Sequence, residues 1–186
     1  MNFNRHYDLE GKHAFLAASK YHWTNYEPEK IDVAYDRYMA VQRGTELHDF
    51  ASHAIKLRRK QPNTKDALNR FVNDAIGFRM KSEQPLYYSE NAFGTADAIS
   101  FRGNLLRIHD LKTGTTAVSM RQLEVYAAFF CLEYHEDPKK IEIELRIYQG
   151  ADVEIYHPDP NDILNIMDTI VQFDKRIEKK KLEMED

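Results

Sequence analysis

The 186-residue chain has few of the residues that build cross-linked, fibrous or disordered proteins. Its single cysteine, Cys131, excludes a disulfide framework, a four-cysteine zinc site and a cysteine-ligated iron–sulfur cluster. Seven glycines and six prolines leave no room for a low-complexity linker. No apolar run approaches the ~20 residues of a membrane-spanning helix, and the N-terminal sequence has no signal-peptide core. We therefore expect a soluble protein of the reducing cytoplasm, with no membrane partner.

The composition is that of an ordinary folded domain with a slight excess of acid. Hydrophobic residues make up 42% of the chain and aromatic residues 12%, which is enough to build a core. The net charge of −4 argues mildly against nucleic-acid binding by bulk attraction, although only the charge near the phosphates matters for binding. Two basic runs, over residues 56–65 and 175–181, are either solvated helix ends or phosphate contacts.

The hydrophobic pattern predicts an α+β (mixed α/β) domain that covers residues 1–186. We expect an N-terminal helical part over 1–84, a sheet core with an inserted helix over 85–157, and a C-terminal helix within 158–186. Gly44 interrupts the first helical pattern. It indicates either a break in the helix or a close approach of another segment to the helix backbone. The predicted helices are 31–59, 65–81, 118–134 and 162–183, and the predicted strands are 85–93, 95–102, 105–112, 140–148 and 152–156.

Two of these strands flank Gly103-Asn104, a dipeptide typical of a two-residue β-hairpin loop. If Arg102 faces Leu105, then Asp97 lies directly opposite Asp110, with Cβ atoms about 4.5–5.5 Å apart. Strand alternation gives these two acids an otherwise apolar face. The other residues predicted on that face are Ile99, Phe101, Leu106, Ile108 and Lys112.

Two carboxylates on a buried face are unfavourable unless something neutralises them. A divalent cation with hard oxygen ligands, Mg²⁺ or Mn²⁺, would do so, and Lys112 would reach a substrate above the metal. The alternative is a solvated hairpin end at which Lys112 pairs with one of the acids. The hairpin geometry alone does not decide between the two.

Four short motifs occur in an order that is similar to a known nuclease family. They are Gly44-Thr45-Glu46-Leu47-His48, Gly94-Thr95-Ala96-Asp97-Ala98-Ile99, Asp110-Leu111-Lys112-Thr113-Gly114, and the pair Gln122 and Tyr126. Together they resemble the PD-(D/E)XK nuclease superfamily, most closely its RecB-type branch, which includes phage recombination exonucleases. The resemblance implies a restriction-endonuclease-like core, in which helices flank a central mixed sheet. Ala96 stands where the proline of the superfamily's name would be.

The resemblance also implies a metal site. Asp97 and Asp110 would bind Mg²⁺ or Mn²⁺, the Leu111 carbonyl would complete the site, and His48 would be a further ligand. No iron–sulfur cluster is expected, because the cysteines that hold it in some relatives are absent. Without the family resemblance, the alternative interpretation of His48 is a histidine that packs at the edge of the core.

Three further residues would contribute to catalysis. Lys112 would orient or help deprotonate the attacking water and stabilise charge on the phosphate. Gln122 and Tyr126 lie one helical turn apart and would hold the DNA strand as it enters the site. Tyr126 also sits in an aromatic stretch and has an alternative role in the core.

These residues predict a Mg²⁺- or Mn²⁺-dependent deoxyribonuclease, most simply an exonuclease in DNA recombination, repair or phage replication. The expected partner is DNA with linear ends or single-stranded tails, in a bacterial or phage-host cytoplasm. Two alternatives are a structure-selective endonuclease of the junction-resolvase type and a catalytically idle DNA- or protein-binding module. A homo-oligomer and a recombination partner protein are both left open.

Overall fold

The computed structural model describes Tyr7 and residues 14–185. After a 3₁₀ helix over Ala18–Asn25, the helices and strands alternate along the chain in an α+β order. The helices are α1 (Pro28–Lys56), α2 (Ala67–Gly77), α3 (Arg121–Tyr134) and α4 (Pro160–Glu185). The strands are β1 (Lys81–Ser89), β2 (Ala92–Arg102), β3 (Leu105–Lys112), β4 (Glu142–Gln149) and β5 (Asp152–Tyr156). None of the helices in these ranges is long and apolar enough to cross a membrane.

The chain divides into two compact units, Met1–Thr45 and Glu46–Asp186. In the first unit, the ring of Phe15 packs edge-on against Tyr35, with 5.2 Å between the ring centroids. Helix α1 runs through Gly44 without interruption, so the break that was one interpretation of this glycine is wrong. The second unit contains the whole sheet and every residue of the candidate site.

The five strands form one sheet in the order β1-β2-β3-β4-β5. Only β3 and β4 are parallel to each other, and α3 is the crossover between them. The other neighbouring pairs are antiparallel. The mixed sheet predicted from the sequence is therefore confirmed, and β3 lies at its centre.

The predicted first strand, 85–93, is wrong because the chain reverses inside it. Strand β1 ends at Ser89, and β2 begins at Ala92 after a two-residue turn. The turn is held by polar contacts: the Asn91 backbone N–H donates to Ser89 Oγ, and the Ser89 hydroxyl donates to the Asp174 carboxylate of α4. Strand β1 also begins four residues earlier than expected, because α2 ends at Gly77. The other elements differ from prediction by a few residues at their ends.

Each face of the sheet buries its own hydrophobic cluster. On one face α3 and α4 cover residues of alternating positions in β3 and β4, namely Leu106, Ile108, Ile143, Leu145 and Ile147. On the other face α2 and the last turns of α1 cover Ala98, Leu111 and Tyr148. This alternation follows from the two-residue period of a strand. It fixes which side chains of β3 reach the site and which do not.

Candidate metal and catalytic site

The β2–β3 hairpin has the predicted register. Arg102 pairs with Leu105, and the pairing continues to Ala98 opposite His109. Beyond that pair, the Leu111 backbone N–H donates to Asp97 Oδ2 at 2.9 Å. A strand of the sheet therefore fixes the orientation of the Asp97 carboxylate.

The alternation of side chains along β2 breaks at Asp97. Ala96 belongs to the cluster under α3, whereas Ala98 belongs to the cluster under α2, although the two residues are two positions apart. Residues two apart in a regular strand share one face. The break places Asp97 where its carboxylate contacts both β3 and helix α1.

His48 lies on α1, one turn before the residues that anchor the helix to the sheet. Ala51, Ala54 and Ile55 are buried, so the helix end is fixed by packing. His48 Nδ1 lies 3.3 Å from Asp97 Oδ2. The hydrogen bond to Asp97 raises the pKa of His48, and it outweighs burial, which acts in the opposite direction.

Glu83 joins this pair, and the sequence analysis missed it. One ligand atom each from His48, Glu83 and Asp97 lies within 4.8 Å of the others. Ser82 pairs with Ala98 and Gln84 with Ala96, so Glu83 lies beside Asp97 across the two strands. Glu83 is exposed, but partial desolvation of its carboxyl and the nearby Asp97 carboxylate raise the pKa of Glu83.

The predicted start of β1 at Pro85 left Glu83 outside the sheet. The Glu90-Asn91 turn was the one sequence feature that pointed to this pairing. Counting the strand pairs back from this turn would still give Asp97 the wrong neighbour on β1, one residue away from Glu83. The reason is a β-bulge between Tyr87 and Ser89, which shifts the register.

Asp110 faces Lys112 instead of joining this group of three donors. The Lys112 ammonium donates to Asp110 Oδ1 at 3.3 Å and lies 3.0 Å from Oδ2. Asp110 is 3% exposed, and its Oδ2 has no hydrogen-bond partner of acceptable geometry in the described part of the chain. Burial and the nearby Asp97 raise the pKa of Asp110, and Lys112 opposes that shift.

Gln122 and Tyr126 extend this contact onto helix α3. The Lys112 ammonium donates to Gln122 Oε1 at 2.9 Å, and Gln122 Nε2 donates to the Tyr126 hydroxyl at 3.1 Å. Gly94 makes room for the Tyr126 ring: a Cβ at Gly94 would lie 2.9 Å from Tyr126 Cε1. Lys112, Gln122 and Tyr126 therefore form one continuous polar chain from β3 to α3.

His109 lies beside Asp110 in sequence but on the opposite face of the sheet, as expected from strand alternation. Its Nδ1 lies 3.2 Å from the Tyr148 hydroxyl, which donates to the Asp74 carboxylate. Burial, with a smaller effect from Arg146 and Arg107, lowers the pKa of His109 to about 3. The imidazole is therefore neutral near pH 7 and lies apart from the candidate site.

The donor set fits a hard divalent cation. His48, Glu83 and Asp97 supply one imidazole and two carboxylates at mutual distances suited to one ion. The buried Asp110 carboxylate lies on the same hairpin as Asp97, with the Lys112 ammonium 3.0 Å from its Oδ2. Leu111, whose carbonyl was predicted as a ligand, contributes its N–H to Asp97.

No protein-family profile matches any part of the chain, and no curated protein or solved structure has significant similarity to it. The likeness to the PD-(D/E)XK superfamily therefore rests on the motifs in the sequence.

Proposed function

We propose that this protein is a metal-dependent deoxyribonuclease with a restriction-endonuclease-like core, of the kind that the four sequence motifs resemble. The observation that carries the proposal is the position of Lys112. Its ammonium contacts Asp110 and Gln122 at once, on the hairpin whose other strand presents Asp97 to His48. A fixed cation near a group of metal donors can stabilise the negative charge that develops during phosphoryl transfer.

The metal would be Mg²⁺ or Mn²⁺, held by His48, Glu83 and Asp97 with the buried Asp110 carboxylate beside them. Such an ion supplies charge stabilisation on a phosphate oxygen and lowers the pKa of a bound water. Glu83 is an addition to the ligand set that the resemblance implies. No ligand in the proposed set is a thiol, which agrees with a hard cation.

The residues of the chain would bind and orient the DNA phosphate. An ammonium has three N–H donors. Lys112 donates one to Asp110 and one to Gln122, so the third can bind a phosphate oxygen. Negative charge increases on the phosphate oxygens during hydrolysis, so a fixed cation there favours the transition state over the ground state. Gln122 holds that cation in place, and Tyr126 holds Gln122.

Hydrolysis adds water across the phosphodiester. The water oxygen forms a bond to phosphorus, the bond from phosphorus to the leaving sugar oxygen breaks, and one water proton ends on that oxygen. Lys112 would orient the attacking water, because its ammonium lies next to the carboxylates on the same strand end. Linear DNA ends or single-stranded tails are the proposed substrate, and recombination, repair or phage replication is the proposed setting.

The decisive experiment compares linear with covalently closed circular DNA, each incubated with Mn²⁺, with Mg²⁺ or with a chelator. We expect cleavage with the metals only, and loss of cleavage in Asp97→Asn. Asp152→Asn is the matched control, because Asp152 is an exposed carboxylate on β5. Degradation of linear DNA alone indicates an exonuclease, and cleavage of both forms indicates an endonuclease.

Absence of cleavage with either metal would contradict the nuclease proposal. If the protein then still bound DNA, the idle DNA-binding module would be the better explanation. If Asp97→Asn cleaved as fast as the parent, a contaminating nuclease would be responsible for the activity and the assigned site would be wrong.

A further inference from the structure

A concave surface lies along β1 and β2, the strands that carry Glu83 and Asp97. It is a cavity of about 360 Å³ between β1, β2 and the C-terminal half of α3. Leu86 and Ile99 form its buried floor. We call it the strand cavity. None of the residues assigned to the metal or to catalysis lines it.

The strand cavity lies close to the site along both strands. Lys81 and Ile99, which pair with each other, lie two residues from Glu83 and Asp97 respectively. Two residues of a strand span about 7 Å. On α3 the cavity residue Phe130 lies four residues beyond Tyr126, or about 6 Å along the helix axis. The strand cavity therefore begins two residues along each strand, and about one helical turn along α3, from residues of the site.

The rim of the strand cavity is positively charged. Arg79, Lys81 and Arg102 line it, and no carboxylate does. None of these three cations takes part in an ion pair within the described residues. In a chain of net charge −4, three unpaired cations around one cavity indicate an anionic ligand.

The wall of the strand cavity is aromatic. Phe101, at 37% exposure, and Tyr134, at 49%, flank the buried ring of Phe130. The ring centroids of Phe101 and Phe130 are 5.1 Å apart, and those of Phe130 and Tyr134 are 4.8 Å apart. Exposed rings beside unpaired cations are the two components of a site for an unpaired base and its phosphate.

We propose that the strand cavity binds one unpaired nucleotide of single-stranded DNA, with its base against Phe101 or Tyr134 and its phosphate on Lys81 and Arg102. This inference rests on the proposed function, and it specifies single-stranded DNA as the form of DNA that is bound. Duplex DNA does not fit this chemistry, because its bases are stacked on each other and present only their edges. A concave aromatic wall requires a base that is free to leave the stack.

The test is fluorescence anisotropy in chelator, where cleavage cannot occur, with labelled oligothymidylate of about 20 nucleotides and a duplex of equal length. We expect Phe101→Ala and Tyr134→Ala to weaken binding of the single strand roughly 5- to 150-fold, the loss that one base–aromatic stack accounts for. Tyr156→Ala, an exposed ring on the opposite edge strand, is the matched control and should bind as the parent does.

Arg102→Ala tests the charged rim. We expect it to leave the fold intact, because Arg102 is exposed and forms no ion pair with the other described residues. It should reduce the salt dependence of binding by about 0.7 in the slope of log affinity against log salt, as one lost phosphate contact does on a single strand. Arg37→Ala, an exposed arginine on α1 outside both basic runs, should leave that slope unchanged.

The outcomes separate this proposal from the nuclease proposal. If the cavity variants and the parent bind the single strand equally, or if single strand and duplex are weakened to the same extent, the strand cavity is not the subsite. If the parent binds no single strand at all, the cavity proposal also falls. If binding behaves as expected but the parent cleaves nothing with Mn²⁺, the nuclease proposal falls and the strand cavity stands as a DNA-binding site.

Discussion

The Lys112 ammonium and the Gln122 side-chain oxygen are 2.9 Å apart, and this hydrogen bond joins the central strand of the sheet to helix α3. The bond matters because a lysine side chain has many rotamers and loses most of them when it is held. Gln122 thus makes Lys112 a fixed charge instead of a mobile one.

Lys112→Ala should cleave DNA about 10²–10³-fold more slowly than the parent, as loss of one fixed electrostatic group does. It should still bind Mn²⁺ and still shift DNA on a gel, because one lysine is one counterion among several. Lys112→Arg should not restore the rate, since a planar guanidinium cannot place one compact charge beside the water. Single-turnover cleavage is the measurement, and a rate near that of the parent for Lys112→Ala would show that the site is misassigned.

Gln122→Ala should lower kcat roughly 10- to 100-fold and leave KM nearly unchanged, because it removes a hydrogen bond to a charged group without removing a DNA contact. Gln122→Glu should recover most of the rate, since a carboxylate also accepts from the ammonium. Gln172→Ala, on the exposed part of α4, is the control. A rise in KM with constant kcat would instead make Gln122 a DNA-binding residue.

Glu83→Gln should weaken Mn²⁺ binding at least about tenfold by calorimetry, because the amide lacks the charge of a ligand. In chelator the same variant should melt at a higher temperature than the parent near neutral pH. Burial and Asp97 raise the pKa of Glu83, so its charged form disfavours the metal-free fold. Unchanged Mn²⁺ affinity would remove Glu83 from the ligand set.

Gly94→Ala should lower both stability and cleavage. The new Cβ would lie 2.9 Å from the Tyr126 ring, so the ring must move, at a cost of about 1–3 kcal/mol. That movement would break the contact of Tyr126 with Gln122. Gly114→Ala is the matched control, because no atom lies within 4 Å of its added Cβ. Equal effects of the two substitutions on denaturant melts would contradict this explanation.

His109 should make the fold sensitive to acid. Its pKa is lowered from 6.5 to about 3, so the unfolded chain takes up the proton first as the pH falls. The stability that depends on neutral His109 is fully present above pH 6.5 and decreases as the pH falls toward 3, by at most about 1.4 kcal/mol per pH unit.

His109→Asn removes this titration and should flatten the loss of stability between pH 6.5 and about 4, measured by urea melts in chelator. His135→Asn is the control: His135 is exposed and has a φ of 57°, which asparagine tolerates. If both variants follow the slope of the parent, His109 is not the group that titrates.

The hairpin part of the site could be predicted from the sequence because it depends on local geometry. Gly103 and Asn104 adopt φ values of 55° and 68°, which a two-residue hairpin loop requires and which these residue types tolerate. Once the loop is known, the register follows as far as Ala98 opposite His109, and with it the faces of Asp110 and Lys112 on β3. Strand alternation also placed His109 on the opposite face.

The rest of the site depends on irregularities that no period predicts. The bulge near Ser89 and the positive φ of Glu83, 49°, decide that Glu83 and not its neighbour lies beside Asp97. Asp97 and Asp110 were predicted to share one metal site, but in the structure their side chains have different partners. The Leu111 N–H fixes Asp97 toward His48, while Asp110 pairs with Lys112.

The contacts of the site differ greatly in the length of chain between them. Leu111 and Asp97 are 14 residues apart, Lys112 and Gln122 are 10 apart, and Gln122 and Tyr126 are 4 apart. His48 alone comes from far away in sequence, on α1. Partial opening of a fold releases whole elements and leaves locally connected ones in place. Release of the end of α1 would therefore remove the imidazole and keep the hairpin acids, Lys112 and its helix contact together. The proposed metal site would then lose a ligand before the Lys112 ammonium is displaced.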